Sequence, residues 1–185
     1  MGMNSTRMRR PGRAASAAAA TVALGMSVVG LSAAGAGAAV AGPQAVTYLT
    51  VTNYKSGKCL DVPESSSDDG QGLEQYACNG GRNQQWALQA TDSGYNLLVN
   101  LNSGKCADVR EKSVDDNAVV NQFACTGASN QQWALRAAPA GITGYQLVVR
   151  HSAKCMGVAG ASGSDKAGIV QVTCAATFSQ YWLFS

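Results

Sequence analysis

A chain of 185 residues with 14 basic and 11 acidic side chains carries a formal charge of +3, but the surplus is unevenly placed. Arg7, Arg9, Arg10 and Arg13 precede every acidic residue, so residues 42–185 hold 10 basic side chains (14 minus 4) against 11 acidic ones, a net charge of about −1. That balance excludes nucleic acid as an expected partner, because phosphate binding rests on clustered Lys and Arg.

The first element in chain order is a leader. The four arginines are followed by a run from Ala14 to Ala41 built almost wholly of Ala, Val, Leu, Gly, Met and Ser. A basic segment, an apolar segment and small residues at a cleavage site are the parts of a secretory signal peptide, in order. Residues 1–41 are therefore expected to be removed after "AVA" at 39–41, with "AGA" at 34–36 or 36–38 as alternatives. A membrane anchor is the rival reading, since the run is long enough to span, but its Gly and Ala content makes it weakly hydrophobic. Pro11 and Gly12 follow Arg9-Arg10 where a twin-arginine signal wants apolar residues, so general secretion is expected. The mature protein is expected to be extracellular and to have no membrane span.

Residues 42–185 number 144 (185 minus 41), one domain by length. The runs "YLTVTN", "YNLLVNL" and "YQLVVR" are rich in Val, Leu, Tyr and Thr, and clusters of Gly, Asn, Asp and Ser break them. This is strand and turn composition with no helical period, which predicts an all-β domain.

All six cysteines lie in this region, and Cys59 to Cys78, Cys106 to Cys125 and Cys155 to Cys174 are each nineteen residues apart. Equal spacing favours one bridge inside each unit, among the roughly fifteen pairings that six cysteines allow. In an oxidising compartment each closed loop adds on the order of 3 kcal/mol, mainly by restricting the unfolded chain. Zinc is the rival reading, but there are no C-x-x-C pairs and no supporting histidines, so no metal site is expected.

Trp86, Trp133 and Trp182 keep the same register, each eight residues after the second cysteine of its unit, within "NQQWAL" at 83–88, "NQQWAL" at 130–135 and "SQYWLF" at 179–184. The chain thus holds three copies of one unit, with periods of 47 and 49 residues and bounds of about 46–91, 92–138 and 139–185. A propeller needs about four or more such units. Three β units closing on one another predict a β-trefoil.

The combination Cys-x-Asp-Val, a cysteine nineteen residues on, and Asn-Gln-x-Trp resembles the ricin-type β-trefoil lectins and the family 13 carbohydrate-binding modules, across essentially all of residues 42–185. The resemblance implies that Trp86, Trp133 and Trp182 fill a shared core while the adjoining glutamines tie turns to backbone. It also implies a shallow sugar pocket on each repeat. An Asp two residues after the first cysteine takes two adjacent sugar hydroxyls on its carboxylate; here these are Asp61 and Asp108. An aromatic residue two before the second cysteine forms an apolar floor, here Tyr76 and Phe123, and Asn83 with Gln84 and Asn130 with Gln131 add amide contacts. Each of these has a bland reading as turn, core or cap residue; their joint recurrence at fixed offsets in two repeats favours the pocket. In the third repeat Gly157, Val172 and Ser179 occupy the Asp, aromatic and Asn positions, so that repeat is expected to serve the fold alone.

Four residues before Cys78, where these lectins usually carry Gln, stands Glu74, with Asn121 at the matching place in the second repeat. Asp61 and Glu74 are then close enough to repel, share a proton or hold a cation, unless Glu74 points to solvent. The repeated Asp-Asp at 68–69 and 115–116 lies in Ser-, Gly- and Asn-rich stretches and is expected to form solvated turns, and His151 is expected to be an exposed turn residue. No nucleophile motif accompanies these groups, and glycoside hydrolysis needs two carboxylates flanking a bond, so no enzymatic activity and no cofactor are expected. The expected protein is a secreted, monomeric, stand-alone carbohydrate binder. The resemblance suggests galactose-containing glycans or a plant-type polysaccharide such as xylan. The alternative is a protein-binding trefoil, either a protease inhibitor or the targeting subunit of a toxin or hydrolase.

Overall fold

The protein is described here by a computed structural model covering residues 46–185; the expected signal peptide and its cleavage points lie outside the described residues. Among the described residues 12 strands form one hydrogen-bonded network. They fall into three groups of four. The first comprises β1 (Leu49–Asn53), β2 (Cys59–Asp61), β3 (Glu74–Tyr76) and β4 (Gln85–Ala90). The second comprises β5 (Tyr95–Asn100), β6 (Cys106–Val109), β7 (Ala118–Phe123) and β8 (Gln132–Ala137). The third comprises β9 (Tyr145–Val149), β10 (Cys155–Val158), β11 (Ala167–Val172) and β12 (Trp182–Phe184).

The outer strands of each group close a barrel: β1 pairs with β4, β4 with β5, β5 with β8, β8 with β9, β9 with β12, and β12 back to β1, all antiparallel. Closure leaves no free sheet edge, which an open antiparallel sheet of this size would expose. The inner strands form hairpins β2–β3, β6–β7 and β10–β11, and these meet one another through β11–β3 and β11–β7 pairing and a Gly72–Asn121 bridge. A six-stranded ring under a triplet of hairpins, one group of four strands per repeat, is the β-trefoil that the threefold periodicity predicts.

The turn from the first to the second strand of each group needs a residue in the left-handed region. Gly57 (φ 67) and Gly104 (φ 68) supply it without a Cβ penalty, whereas the third repeat holds Ala153 there (φ 57).

Trp86, Trp133 and Trp182 are fully buried in one cluster with Leu60, Ala107, Met156, Leu98 and Leu147. Each indole Nε1 donates to the carbonyl of the residue after the first cysteine: Leu60 at 3.0 Å, Ala107 at 3.0 Å and Met156 at 3.1 Å. The repeated tryptophan therefore fills the core and also fastens its own hairpin to the barrel. The bridges Cys59–Cys78, Cys106–Cys125 and Cys155–Cys174 close the hairpin bases, with Cα–Cα separations of 5.1, 5.1 and 5.0 Å.

The repeats are also clamped to one another in a cycle. Gln75 Nε2 donates to the carbonyls of Ser162 and Ser164 in the third repeat, Gln122 to Ser66 and Asp68 in the first, and Gln171 to Ser113 and Asp115 in the second. Beside them run the ion pairs Lys58–Asp165 (2.6 Å), Lys105–Asp69 (2.7 Å) and Lys154–Asp116 (2.6 Å). The same three aspartates also accept the backbone N–H groups of Ala77, Ala124 and Thr173. All four aspartates of the Asp-Asp pairs are exposed and lie at turns, as expected, but Asp69 and Asp116 in addition join adjacent repeats, which the expectation did not include. Hydrogen bonds from the lysines hold the carboxyls of Asp69, Asp116 and Asp165 below the ordinary carboxylate value.

Candidate functional site

In the first repeat, hairpin register sets Asp61 directly across from Glu74, and Cys59 across from Tyr76. Asp61 is only 3% exposed. Its Oδ2 accepts Asn83 Nδ2 at 3.0 Å and Gln84 Nε2 at 2.8 Å, while Oδ1 has no hydrogen-bond partner among the described residues. Asn83 also donates to Val62 O, and Gln84 is pinned by Ala77 O and the Asn79 N–H, so both amides are preset. Asp61, Glu74, Tyr76, Asn83, Glu64 and Lys166 line an open hollow of about 500 Å3. Burial pushes the Asp61 carboxyl above its ordinary value, against hydrogen bonds from Gln84 and Asn83 that pull it down. Burial also raises Glu74, and the Asp61 charge adds to the effect.

The second repeat repeats the plan, with Asp108 opposite Asn121 and Cys106 opposite Phe123. Asp108 is 6% exposed, and its Oδ2 accepts Asn130 Nδ2 at 2.7 Å. Asn130 also holds Val109 O at 3.0 Å, while its own Oδ1 is buried without a partner. Gln131 spans the turn, donating to Ala124 O and accepting from the Thr126 N–H. With its amide nitrogen turned toward the facing acceptors, Asn121 donates to Asp108 O at 2.7 Å and to Oδ1 at 3.2 Å. The hollow measures about 580 Å3, with Phe123, 41% exposed, in its wall beside Arg110, Glu111 and Lys112. Burial raises the Asp108 carboxyl as well.

The corresponding ground in the third repeat is filled. A Cβ on Gly157 would meet Val172 Cγ2 at 3.2 Å and Gln180 Cγ at 3.3 Å. What remains is a smaller hollow of about 370 Å3 around Ala161, Thr177, Ser179 and Phe178, without a carboxylate. Phe178 is 52% exposed and its ring lies 5.4 Å from that of Tyr54.

Asp108, Phe123, Asn130 and Gln131 all line the second hollow, whereas the first is lined by Asp61, Tyr76 and Asn83, with Gln84 behind the wall and reaching it only through its bond to Asp61; Glu74 lines the first hollow rather than turning away from it. His151 departs from expectation. It is half-buried, its Nε2 is 2.8 Å from Ser113 O, and its Nδ1 is buried without a partner. At the same repeat position, Lys55 donates to Ala161 O and Asn102 to Ser65 O, so this position stitches neighbouring repeats.

Two groups of lining residues escape the motif. Glu64 (φ 55) and Ser65 (φ 55), and Glu111 (φ 55) and Lys112 (φ 53), form pocket lips in the left-handed region. Two successive strained non-glycine residues at a rim mark a locally imposed shape, and the repeated Asp-Val-x-Glu at 61–64 and 108–111 is the signal that points to them. The other group comes from neighbouring repeats: Lys166 reaches the first hollow and Gly70 the second.

Comparison with known proteins agrees with this architecture. Residues 47–182 match the ricin-type beta-trefoil lectin domain. Among solved structures, the designed threefold-symmetric protein ThreeFoil shares 41% identity, with 74% of this chain and 96% of that one covered at a TM-score of 0.71. The exo-beta-1,3-galactanase 1,3Gal43A from Clostridium thermocellum shares 32% identity over 77% of this chain at a TM-score of 0.72, and the match spans 30% of that enzyme. The Rhizoctonia solani agglutinin, 22% identical and covered over 96% of its length at a TM-score of 0.65, shares the fold. With its family match covering nearly all described residues and its barrel, hairpin triplet and repeated tryptophans in place, the chain belongs to the ricin-type β-trefoil lectin family.

Proposed function

We propose that this chain is an exported carbohydrate-binding protein with two working sugar pockets, in its first and second repeats, and a third repeat that serves the fold. One observation carries the reading. In each of the first two repeats a nearly buried carboxylate is held on one oxygen by a preset Asn amide, at the wall of an open hollow that also presents an aromatic ring. The carboxylate accepts two adjacent sugar hydroxyls. The amides spend their N–H groups on the carboxylate and the backbone, fixing the carboxylate's orientation, and Tyr76 or Phe123 takes the sugar's C–H face. Preset donors and acceptors reduce the ordering cost on binding.

No covalent step is assigned to either pocket, and the binding role needs none. The relative that shares 32% identity is an exo-beta-1,3-galactanase, which supports galactose-configured glycans as the first ligands to test, with xylan-type polymers next. Each hollow is shallow and each site is weak; two sites on one rigid body gain avidity of about 10² to 10⁴ on a polymer if both engage.

The test is retention on insoluble polysaccharide with free-sugar competition, beside calorimetry with a short oligosaccharide. Two sites per chain and sugar-competed retention are expected. A folded Asp61→Ala, Asp108→Ala double variant that is retained as well as the wild type overturns the proposal. Retention by protein ligands without sugar competition would instead favour an inhibitor or targeting role.

A further inference from the structure

The two pockets share a plan and differ in charge at one cross-strand position. In the second, Asn121 faces Asp108 and supplies N–H donors to its carbonyl and its Oδ1. In the first, Glu74 faces Asp61 in the same register and can donate nothing when ionised. Glu74 has no hydrogen-bond partner among the described residues, and their ion pairs join Lys58, Lys105, Arg150 and Lys154 to Asp165, Asp69, Asp92 and Asp116 respectively. Lys166 lines the same hollow without pairing to it. The nearly buried Asp61 keeps its Oδ1 unpartnered on the same wall. Glu64 adds a third carboxylate at the lip. The charged groups sharing the hollow with Glu74 are therefore Asp61, Glu64 and Lys166, still an acidic majority, and the nearby Asp165 is already paired with Lys58.

A ligand offering only hydroxyls satisfies Asp61 and leaves Glu74 without a counter-charge. A ligand that carries an ammonium beside its hydroxyls satisfies both. The geometry points to an unacetylated amino sugar as the ligand class of the first pocket, its ammonium on Glu74 and its adjacent hydroxyls on Asp61, while the second pocket takes a neutral sugar. This rests on the reading of both hollows as sugar pockets. A hydroxyl, an acetamide N–H and an ammonium can each hydrogen-bond the ionised Glu74, but only the ammonium adds the attraction of an opposite charge in a half-buried hollow, so it is preferred at that position by roughly five- to tenfold. Protonation of Glu74 removes the preference, and it does so at a higher pH than for an ordinary carboxylate because burial and the Asp61 charge hold Glu74 up.

The experiment uses the full chain with Asp108→Ala, so that the first pocket alone reports. Calorimetric titrations near neutral pH compare D-galactosamine with D-galactose and N-acetyl-D-galactosamine, and repeat the comparison in the gluco series. The amino sugar is expected to bind roughly five- to tenfold more tightly than its two neutral counterparts. Glu74→Gln is expected to bring the three together while neutral-sugar binding persists. Glu74→Asn, which copies the second repeat, provides the same test if the glutamine variant does not fold. The Asp61→Ala chain, reporting the second pocket, is expected to show no amine preference. Equal binding of the three sugars by the first pocket, a preference that survives both Glu74 substitutions, or displacement by ethylamine as effective as by the amino sugar overturns the inference. Neutral-sugar binding without amine preference defeats this inference alone, whereas a first pocket that binds no sugar of either series defeats the pocket reading with it.

Discussion

Replacing Asp108 by Asn separates what this carboxylate does for a ligand from what it does to the fold. The side chain is 6% exposed and burial raises its carboxyl above the ordinary value, so the ionised form is disfavoured in the folded, ligand-free protein. The sign follows from linkage. A raised carboxyl contributes its full stability below the unfolded value of about 3.9, and that contribution is lost as pH rises through the higher folded range. Asn keeps the shape, its oxygen still accepts from Asn130, and Asn121 keeps its 2.7 Å bond to the residue-108 carbonyl while giving up only the 3.2 Å contact. Asp108→Asn is therefore expected to raise the melting temperature at neutral pH, with the gain vanishing in acid. Binding moves the other way: loss of a charged acceptor costs about 1.5 to 3 kcal/mol, or roughly ten- to hundredfold in affinity. Calorimetry in an Asp61→Ala background and thermal melts across pH measure the two effects. A melting temperature that falls at neutral pH, or an affinity within about twofold of the parent, refutes the reasoning.

Three further outcomes are expected. Asp69→Asn, Asp116→Asn and Asp165→Asn together should flatten the acid limb of a stability-against-pH curve, because the lysines hold these carboxyls down and their contribution, present above the unfolded value, is lost as pH falls through the folded range; an unchanged limb would remove the clamps from the account. Gly157→Ala should cost about 1 to 3 kcal/mol by overpacking, read in denaturant melts, and leave sugar binding intact. Peptide mapping of secreted protein should find only bridges within repeats, and Cys106→Ser with Cys125→Ser should lower stability by about 3 kcal/mol; a bridge joining two repeats would contradict the threefold layout.

How far the sequence reaches is clearest from residues that recur at equal offsets. Cysteines nineteen apart, a tryptophan eight residues on and short Val- and Tyr-rich runs are local properties of one unit, repeated because a single unit cannot bury its own apolar face. They suffice for an all-β trefoil with one bridge per repeat. The opposition of Asp61 and Glu74 was also within reach, since both lie on one hairpin whose register is set by the bridge between Cys59 and Cys78.

What joins one repeat to the next was not. The same offsets that mark Asp69 and Asp116 as equivalent say nothing of Lys105 and Lys154, their partners 36 and 38 residues away. His151 is a turn residue, but its partial burial left no mark in the sequence because its partner, Ser113 O, belongs to another repeat. Lys166 enters the first pocket, and Gly70 the second, only because the hairpins pack around a common axis in one sense of rotation. Sequence period by itself determined how many units there are, what each contains and which units keep pocket residues. Tertiary structure alone decided which unit touches which, since that depends on barrel closure between β1 and β12 and on the handedness of the hairpin triplet, and neither leaves a local trace in residue order.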